Sequence, residues 1–310
     1  MQRIPLQEIT DRTAKQRDAW WTVLLVDPLA IRLVRLVYPY RWITPNLLSA
    51  FAFVLGLGAA ACFALQDRWW LVGGALLFHL SFVVDCMDGK IARLNGTGTI
   101  FGVWFDFIFD RIRVIICTVA LFGGQYAKTD DVTYVWLAAA VICLDLFRYL
   151  NGSQVGKIKS SMAARLADAR GARPEVPSPD EEESDPEDAS PATSAEPAPI
   201  DDDRGAYLRF RNWLLRSRIR VHLFSGIEYE MTVFIVGPVI GFVFWTTIVS
   251  GVLLLGFEAL IVLRLYQLTR RFPAMLAKAE HEGEAARLAT AGGLTPAGGE
   301  QAGGLAPGHV

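Results

Sequence analysis

Between Asp85 and Asp110 the chain sets four carboxylates, Asp85, Asp88, Asp106 and Asp110, among residues that otherwise read as membrane interior. An isolated carboxylate inside a bilayer costs about 2.5 to 3.5 kcal/mol even on a lenient insertion scale, so four are prohibitive without partners or water. On helices, steps of three and four keep side chains on one face. Asp85 and Asp88 therefore point together, and Asp106 lies one turn from Asp110. Two such pairs on neighbouring helices converge. A divalent cation supplies the missing compensation, and a set of hard oxygen ligands suits Mg²⁺, Mn²⁺ or Ca²⁺ rather than zinc. The plainer alternative is a set of helix-end carboxylates solvated at the membrane surface. That accounts for Asp85 and Asp88 after a hydrophobic run, but not for Asp106 and Asp110 inside the next one.

The 310 residues are 52% hydrophobic with 18 Phe and a mean hydropathy of +0.31, too apolar for an ordinary soluble domain. The expected class is an all-α polytopic membrane protein. The formal charge of −2 hides an asymmetry, because residues 174–203 hold twelve Asp or Glu and no Lys or Arg, which leaves the rest of the chain strongly basic. Such a body suits anionic head groups. The same segment has seven prolines and almost no large apolar residues, so it is expected to be a disordered acidic insert. Cys62, Cys86, Cys117 and Cys143 lie within or beside apolar runs without paired spacing, which indicates neither a disulfide framework nor a zinc site.

Taken in order, residues 1–17 are polar and have no apolar core or cleavage site, so they read as no signal peptide. Trp20 and Trp21 lead into Asp27-Pro28, read as an N-cap and first-turn proline. Leu29, Leu33, Leu36 and Val37 then share one face, as in an interfacial amphipathic helix. Spans are expected over about 45–65, 69–89, 99–122 and 133–150. The run Met231–Leu263 is too long for one helix, and cations flank both of its ends. The positive-inside rule makes it a hairpin turning near Trp245–Ser250, with spans over about 228–245 and 249–268. That gives six transmembrane helices in a membrane domain over 18–270, followed by a disordered tail over 271–310. Both termini are cytoplasmic. Lys90, Arg93, Arg111 and Arg113 put the aspartates at the cytoplasmic end, in the cell (inner) membrane.

Written as a pattern, Asp85–Asp110 is D-x2-D-G-x2-A-R-x8-G-x3-D-x3-D, with Gly89, Ala92, Arg93 and Gly102 at the remaining fixed positions. It resembles the signature of the CDP-alcohol phosphatidyltransferase family of integral membrane enzymes, with all eight identities and all spacings in agreement. The resemblance implies six spans over roughly residues 20–270. It also implies a CDP-alcohol donor, an alcohol acceptor, release of CMP, and two ions of Mg²⁺ or Mn²⁺. By the same resemblance Asp85, Asp88 and Asp106 are metal ligands. Asp110 matches the residue that acts as base and shares a metal, and Asn46 matches a position near the nucleotide. Gly89, Ala92 and Gly102 remove bulk where a nucleotide approaches a helix backbone, and Arg93 offers a charge-assisted contact to phosphate. Small residues are also common at membrane-helix contacts, and only their register with the aspartates favours the functional reading.

The motif does not separate a lipid donor from a water-soluble one. The interfacial helix favours CDP-diacylglycerol and phospholipid synthesis, with a soluble CDP-alcohol such as CDP-inositol as runner-up. A divalent-cation transporter is the alternative of another class, but it gives no role to Gly89, Ala92 and Arg93. Membrane lipids are expected partners, nucleic acid is not, and a homodimer stays open. Outside the motif, His79 reads as a core histidine. Asp145 and Arg148 could pair on the fourth span, or Arg148 could join Arg111 or Arg113 on an acceptor phosphate. Glu258 has no partner visible in the sequence. Removal of residues 174–203 should leave CMP release from a CDP-alcohol nearly intact, because the segment has neither apolar anchors nor motif residues. A large loss in the deletion would mean that the acidic insert reaches the site.

Overall fold

The computed structural model describes residues 5–15, 17–40, 42–171, 218–220 and 224–292. The acidic insert 174–203 and residues 293–310 lie outside them. The described residues are helical, with no strand beyond an isolated bridge between Asp18 and Ile219. Two compact units emerge, Met1–Ser153 with Thr193–Leu263, and Gln154–Ala192 with Arg264–Val310.

In the first unit, α1 (Leu6–Thr13) and α2 (Asp27–Val37) precede the long helices. α3 (Pro45–Leu65) starts where the Thr44 hydroxyl accepts from the Leu47 amide at 3.3 Å, and Pro45 occupies the first turn, where no amide is missed. It ends at Gln66, which adopts a left-handed backbone (φ 59°) and ties itself to α5 through an amide bond to the Leu121 carbonyl at 2.9 Å. α4 (Arg68–Asn95) closes on Gly96 at φ 61°, and the Thr99 hydroxyl then caps α5 (Ile100–Thr129) by accepting from the Gly102 amide at 3.0 Å. α3 presents the small buried residues Ala52, Gly56, Ala59 and Ala60 to its neighbours. Gly74 of α4 sits so close that an added Cβ would meet the Phe63 ring at 2.7 Å. Close backbone approach through small residues is how helices pack where no hydrophobic force separates protein from lipid.

α6 (Thr133–Ala169) runs unbroken for 37 residues, so the basic stretch from Lys157 continues the fourth helix rather than forming a separate surface element. α7 (Gly226–Met231) passes through a π turn, Thr232–Val236, into α8 (Gly237–Ile240), and α9 (Val243–Gly292) follows. Among the described residues four helices are long and apolar enough to cross a membrane: α3, α4, α6 and α9. α5 carries Asp106, Asp110, Arg111 and Arg113, and the 226–240 segment is short, so neither adds to those four.

Three expectations need correction. The turn expected near Trp245–Ser250 falls earlier, because Gly241 at φ 83° takes the left-handed conformation that ends α8, and residues 245–250 lie inside α9. Residues 271–292, expected as part of a disordered tail, continue α9. They are rich in alanine, the strongest helix former, and in Glu, Lys and Leu, which outweigh the scattered glycines. In the second unit this stretch lies against the end of α6, where an added Cβ on Gly283 would fall 2.2 Å from the Ala169 carbonyl oxygen. Asp27 is not an N-cap. The chain is already helical from Trp20, and a π turn, Thr22–Val26, precedes Pro28. The same arrangement, a π turn and then one residue before a proline, recurs at Thr232–Val236 and Pro238. A proline inside a helix can neither donate its amide nor fit the carbonyl four residues back, and a widened turn relieves both.

α2 buries Ala30, Ile31 and Val34 against the protein, whereas Leu29 and Leu36 stay exposed. Asp27, freed from capping, forms a buried ion pair with Lys90 of α4 at 2.9 Å and also meets Arg218 at 3.3 Å. Asp27→Ala should lower stability by about 3 to 5 kcal/mol, because it strands a buried ammonium. Thermal unfolding of purified protein in detergent checks this, and an unchanged midpoint would contradict it.

Candidate active site

The capped junction between α4 and α5 sets the site, because it brings the last turns of one helix beside the first turns of the next. Asp85 and Asp88, three apart on α4, meet Asp106 of α5, and each offers an oxygen within 4.8 Å of the others. Oxygen ligands at about 2.0 to 2.6 Å from an Mg²⁺ or Ca²⁺ ion lie within about 4 to 5 Å of one another, so the donor set fits a hard divalent cation. The Ser49 hydroxyl of α3 reaches Asp88 from the opposite side. Asp110 stands outside this cluster. It pairs with Arg113 one turn on and lies 3.5 Å from Arg111, and Arg113 also reaches Asp85 at 3.4 Å. The four aspartates are thus divided into three and one.

The small motif residues border the cluster. An added Cβ on Gly102 would come within 3.3 Å of Asn46 Oδ1, so Asn46 at the start of α3 stands beside the start of α5. An added Cβ on Gly89 would meet the Arg93 guanidinium at 3.3 Å. Ala92 is half-buried between them in sequence. Arg93 donates to the Thr13 carbonyl at 2.6 Å, so its guanidinium bridges α4 and the end of α1.

A second polar group lies among α5, α6 and α7. Arg111 grips Asp145 at 2.6 and 2.7 Å, meets Glu230 at 3.2 Å, donates to Tyr149 at 2.9 Å, and stacks 3.7 Å above the Tyr149 ring. Arg148 meets Glu258 at 3.2 Å, and Asn151 donates to the other oxygen of Glu258 at 2.6 Å. Asp145 and Arg148 therefore go to separate partners, and Glu258 gains the one that the sequence did not reveal. His79 packs edge-on to Trp21, with ring centroids 6.2 Å apart, away from any carboxylate cluster. All four cysteines are free thiols.

Sequence reasoning missed Ser49, Tyr149 and Glu230, and it used Arg111 and Arg113 as markers of the cytoplasmic end and as possible contacts to an acceptor phosphate. Both side chains are buried, at 6% and 2% exposure. The signal was available: Arg111, Arg113 and Arg148 inside apolar runs each demand a carboxylate, and Asp145, Glu230 and Glu258 stand in neighbouring runs.

Residues 42–169 match the family model described as CDP-alcohol phosphatidyltransferase. A phosphatidylinositol phosphate synthase of Corynebacterium glutamicum is 32% identical over 124 residues, covering 39% of this chain and 52% of the relative. A CDP-diacylglycerol–glycerol-3-phosphate 3-phosphatidyltransferase of Cereibacter sphaeroides is 36% identical over 127 residues, covering 41% and 54%. A bifunctional IPC transferase and DIPP synthase of Aquifex aeolicus is 32% identical over 68 residues, covering 22% and 15%. The chain thus spans about half the length of the first two curated relatives. The residues that match the family model contain the aspartate cluster, and the long apolar helices point to an integral membrane protein.

Asp145→Asn should cost about 3 kcal/mol or more in stability, because it removes the negative charge, and one of the two short contacts, that balance the buried Arg111. A melting curve in detergent tests this, and wild-type stability would mean that Glu230 suffices alone.

Proposed function

We propose that this chain is a membrane transferase that moves a phosphatidyl group from a CDP-alcohol, CDP-diacylglycerol, to an alcohol acceptor and releases CMP. The observation that carries the reading is the meeting of Asp85, Asp88 and Asp106, oxygens within 4.8 Å, inside a domain of this family. A lone acidic cluster has many explanations. One in register with Gly89, Ala92, Arg93 and Gly102 has fewer. The names of the relatives, a phosphatidylinositol phosphate synthase and a CDP-diacylglycerol–glycerol-3-phosphate 3-phosphatidyltransferase, favour phospholipid synthesis over cation transport.

In this reading Asp85, Asp88 and Asp106 hold Mg²⁺ or Mn²⁺, two ions when substrate is bound, with Asp110 available to the second. Bound there, such a metal would neutralise the diphosphate and stabilise the oxygen that leaves with CMP. Asn46 and the backbones at Gly89 and Gly102, which carry no side chain of their own, receive the nucleotide, and Arg93 exchanges its Thr13 contact for phosphate. Asp110 Oδ takes the proton of the acceptor hydroxyl as that hydroxyl attacks the phosphorus nearer the diacylglycerol. The exposed Leu29 and Leu36 of α2 support an interfacial helix that brings a lipid donor to the site.

The membrane domain spans 18–270 in six crossings, with α5 and the 226–240 segment completing the four most apolar helices. A long helix with buried charges crosses when its partners shield them. Exposed Lys157, Arg165, Arg264, Arg270 and Arg271, beyond the apolar stretches of α6 and α9, support a cytoplasmic orientation of those ends in the inner membrane. Arg111 and Arg113 no longer count towards that orientation, because they are spent on internal carboxylates.

CMP release from purified protein given CDP-diacylglycerol and a panel of alcohols tests the reading, and its absence with every acceptor would overturn it. Within that assay, Asp110→Asn should lower turnover by about 10² to 10⁴ while donor binding stays within a few-fold. Asp85→Asn and Asp106→Asn should lose donor and metal binding together. Equal loss of donor binding in the Asp110 and Asp85 variants would make Asp110 chiefly a metal ligand.

A further inference from the structure

Arg113 has no part in the proposed transfer, yet three helices are shaped around it. Its side chain is 2% exposed. On α3, Gly56 leaves the space its stem fills, since an added Cβ there would lie 2.6 Å from both Cγ and Cδ of Arg113. On α4, Ser81 accepts from Nη1 at 3.0 Å and donates to the Ala52 carbonyl at 2.6 Å, and the Phe78 ring centroid lies 5.9 Å from the guanidinium carbon. The two ends of the fork then reach Asp85 and Asp110. A glycine notch, a fixed hydroxyl and two carboxylates form a cradle for this cation.

We propose that Arg113 is a built-in counter-ion of the aspartate site, a positioning residue that keeps Asp110 out of the Asp85, Asp88 and Asp106 cluster and contests Asp85 with the metal. The inference rests on reading that cluster as a cation site. Three clustered carboxylates with a fourth beside them on α5 repel one another strongly in a medium of low dielectric, and a guanidinium, which does not deprotonate in proteins, balances part of that charge before any metal arrives. The same fixed charge repels an incoming divalent ion and occupies one oxygen of Asp85. Arg113 therefore weakens metal binding. The cluster stays assembled when empty, and Asp110 remains on the guanidinium fork until metal and substrate arrive.

The test is Mn²⁺ titration of purified full-length protein, followed by the paramagnetic signal of free Mn²⁺, with melting temperatures in chelator and in Mn²⁺. Arg113→Gln should bind Mn²⁺ about ten-fold more tightly or better, because it removes a positive charge beside the site. Its melting temperature should rise more on Mn²⁺ addition than that of the wild type, since a ligand stabilises by its concentration relative to Kd. Arg113→Lys keeps the charge and should stay within about three-fold of wild type. Gly56→Ala crowds the arginine stem while leaving every charge in the chain, and should tighten Mn²⁺ binding in the same direction. That variant answers the question if Arg113→Gln does not accumulate. Mn²⁺ binding that is unchanged or weaker in either variant overturns the inference. A wild-type protein that binds no Mn²⁺ overturns the cation-site reading itself, and this inference with it.

Discussion

A charge that cannot reach water must meet its opposite inside the protein, and the first unit is arranged to satisfy that condition several times over. Asp27 meets Lys90, Arg111 meets Asp145 and Glu230, Arg113 meets Asp85 and Asp110, and Arg148 meets Glu258. Each pair joins different helices or successive turns of one. Breaking such a pair costs far more than the pair contributes relative to an apolar contact, so these contacts act mainly as constraints on which helices can be neighbours. α5 depends on them most, because it has too many charges to be held by apolar packing alone.

Within that arrangement Asp85, Asp88 and Asp106 differ in kind. Their oxygens approach one another, and the cation named above for this group, Arg113, reaches Asp85. A protein that neutralises its internal charges so consistently, and then brings three carboxylates together, leaves a local excess of negative charge that a divalent ion suits. Gly102 lies against Thr99 and Asn46, and Gly89 lies against Arg93, so polar side chains line the neighbouring backbone. That acidic site lies within residues 42–169, the stretch that matches the CDP-alcohol phosphatidyltransferase family model.

Much of this was legible in the sequence. The all-helical class follows from long apolar runs, and the meeting of Asp85, Asp88 and Asp106 follows from spacings of three and four on helices joined by a short turn. Other features depended on tertiary context. Asp110 shares the spacing of its neighbours, but its partner is Arg113, whose place is set by a glycine on another helix. The partners of Glu258, in α6, and of Glu230, in α5, lie more than a hundred positions away. The turn at Gly241 was misplaced because flanking charge locates the two ends of a hairpin and says little about its middle. Residues 271–292 are helical because alanine, the strongest helix former, outweighs the scattered glycines that oppose a helix.

The central claim is that the three clustered carboxylates hold a metal against the diphosphate of a CDP-linked alcohol. Pulsed paramagnetic resonance of Mn²⁺ bound to the purified protein, with CDP-diacylglycerol present, tests it most directly. The account predicts a phosphorus hyperfine coupling in the wild type that disappears in Asp85→Asn and Asp106→Asn. A bound Mn²⁺ that senses no phosphorus, or a coupling that survives both substitutions, would contradict it.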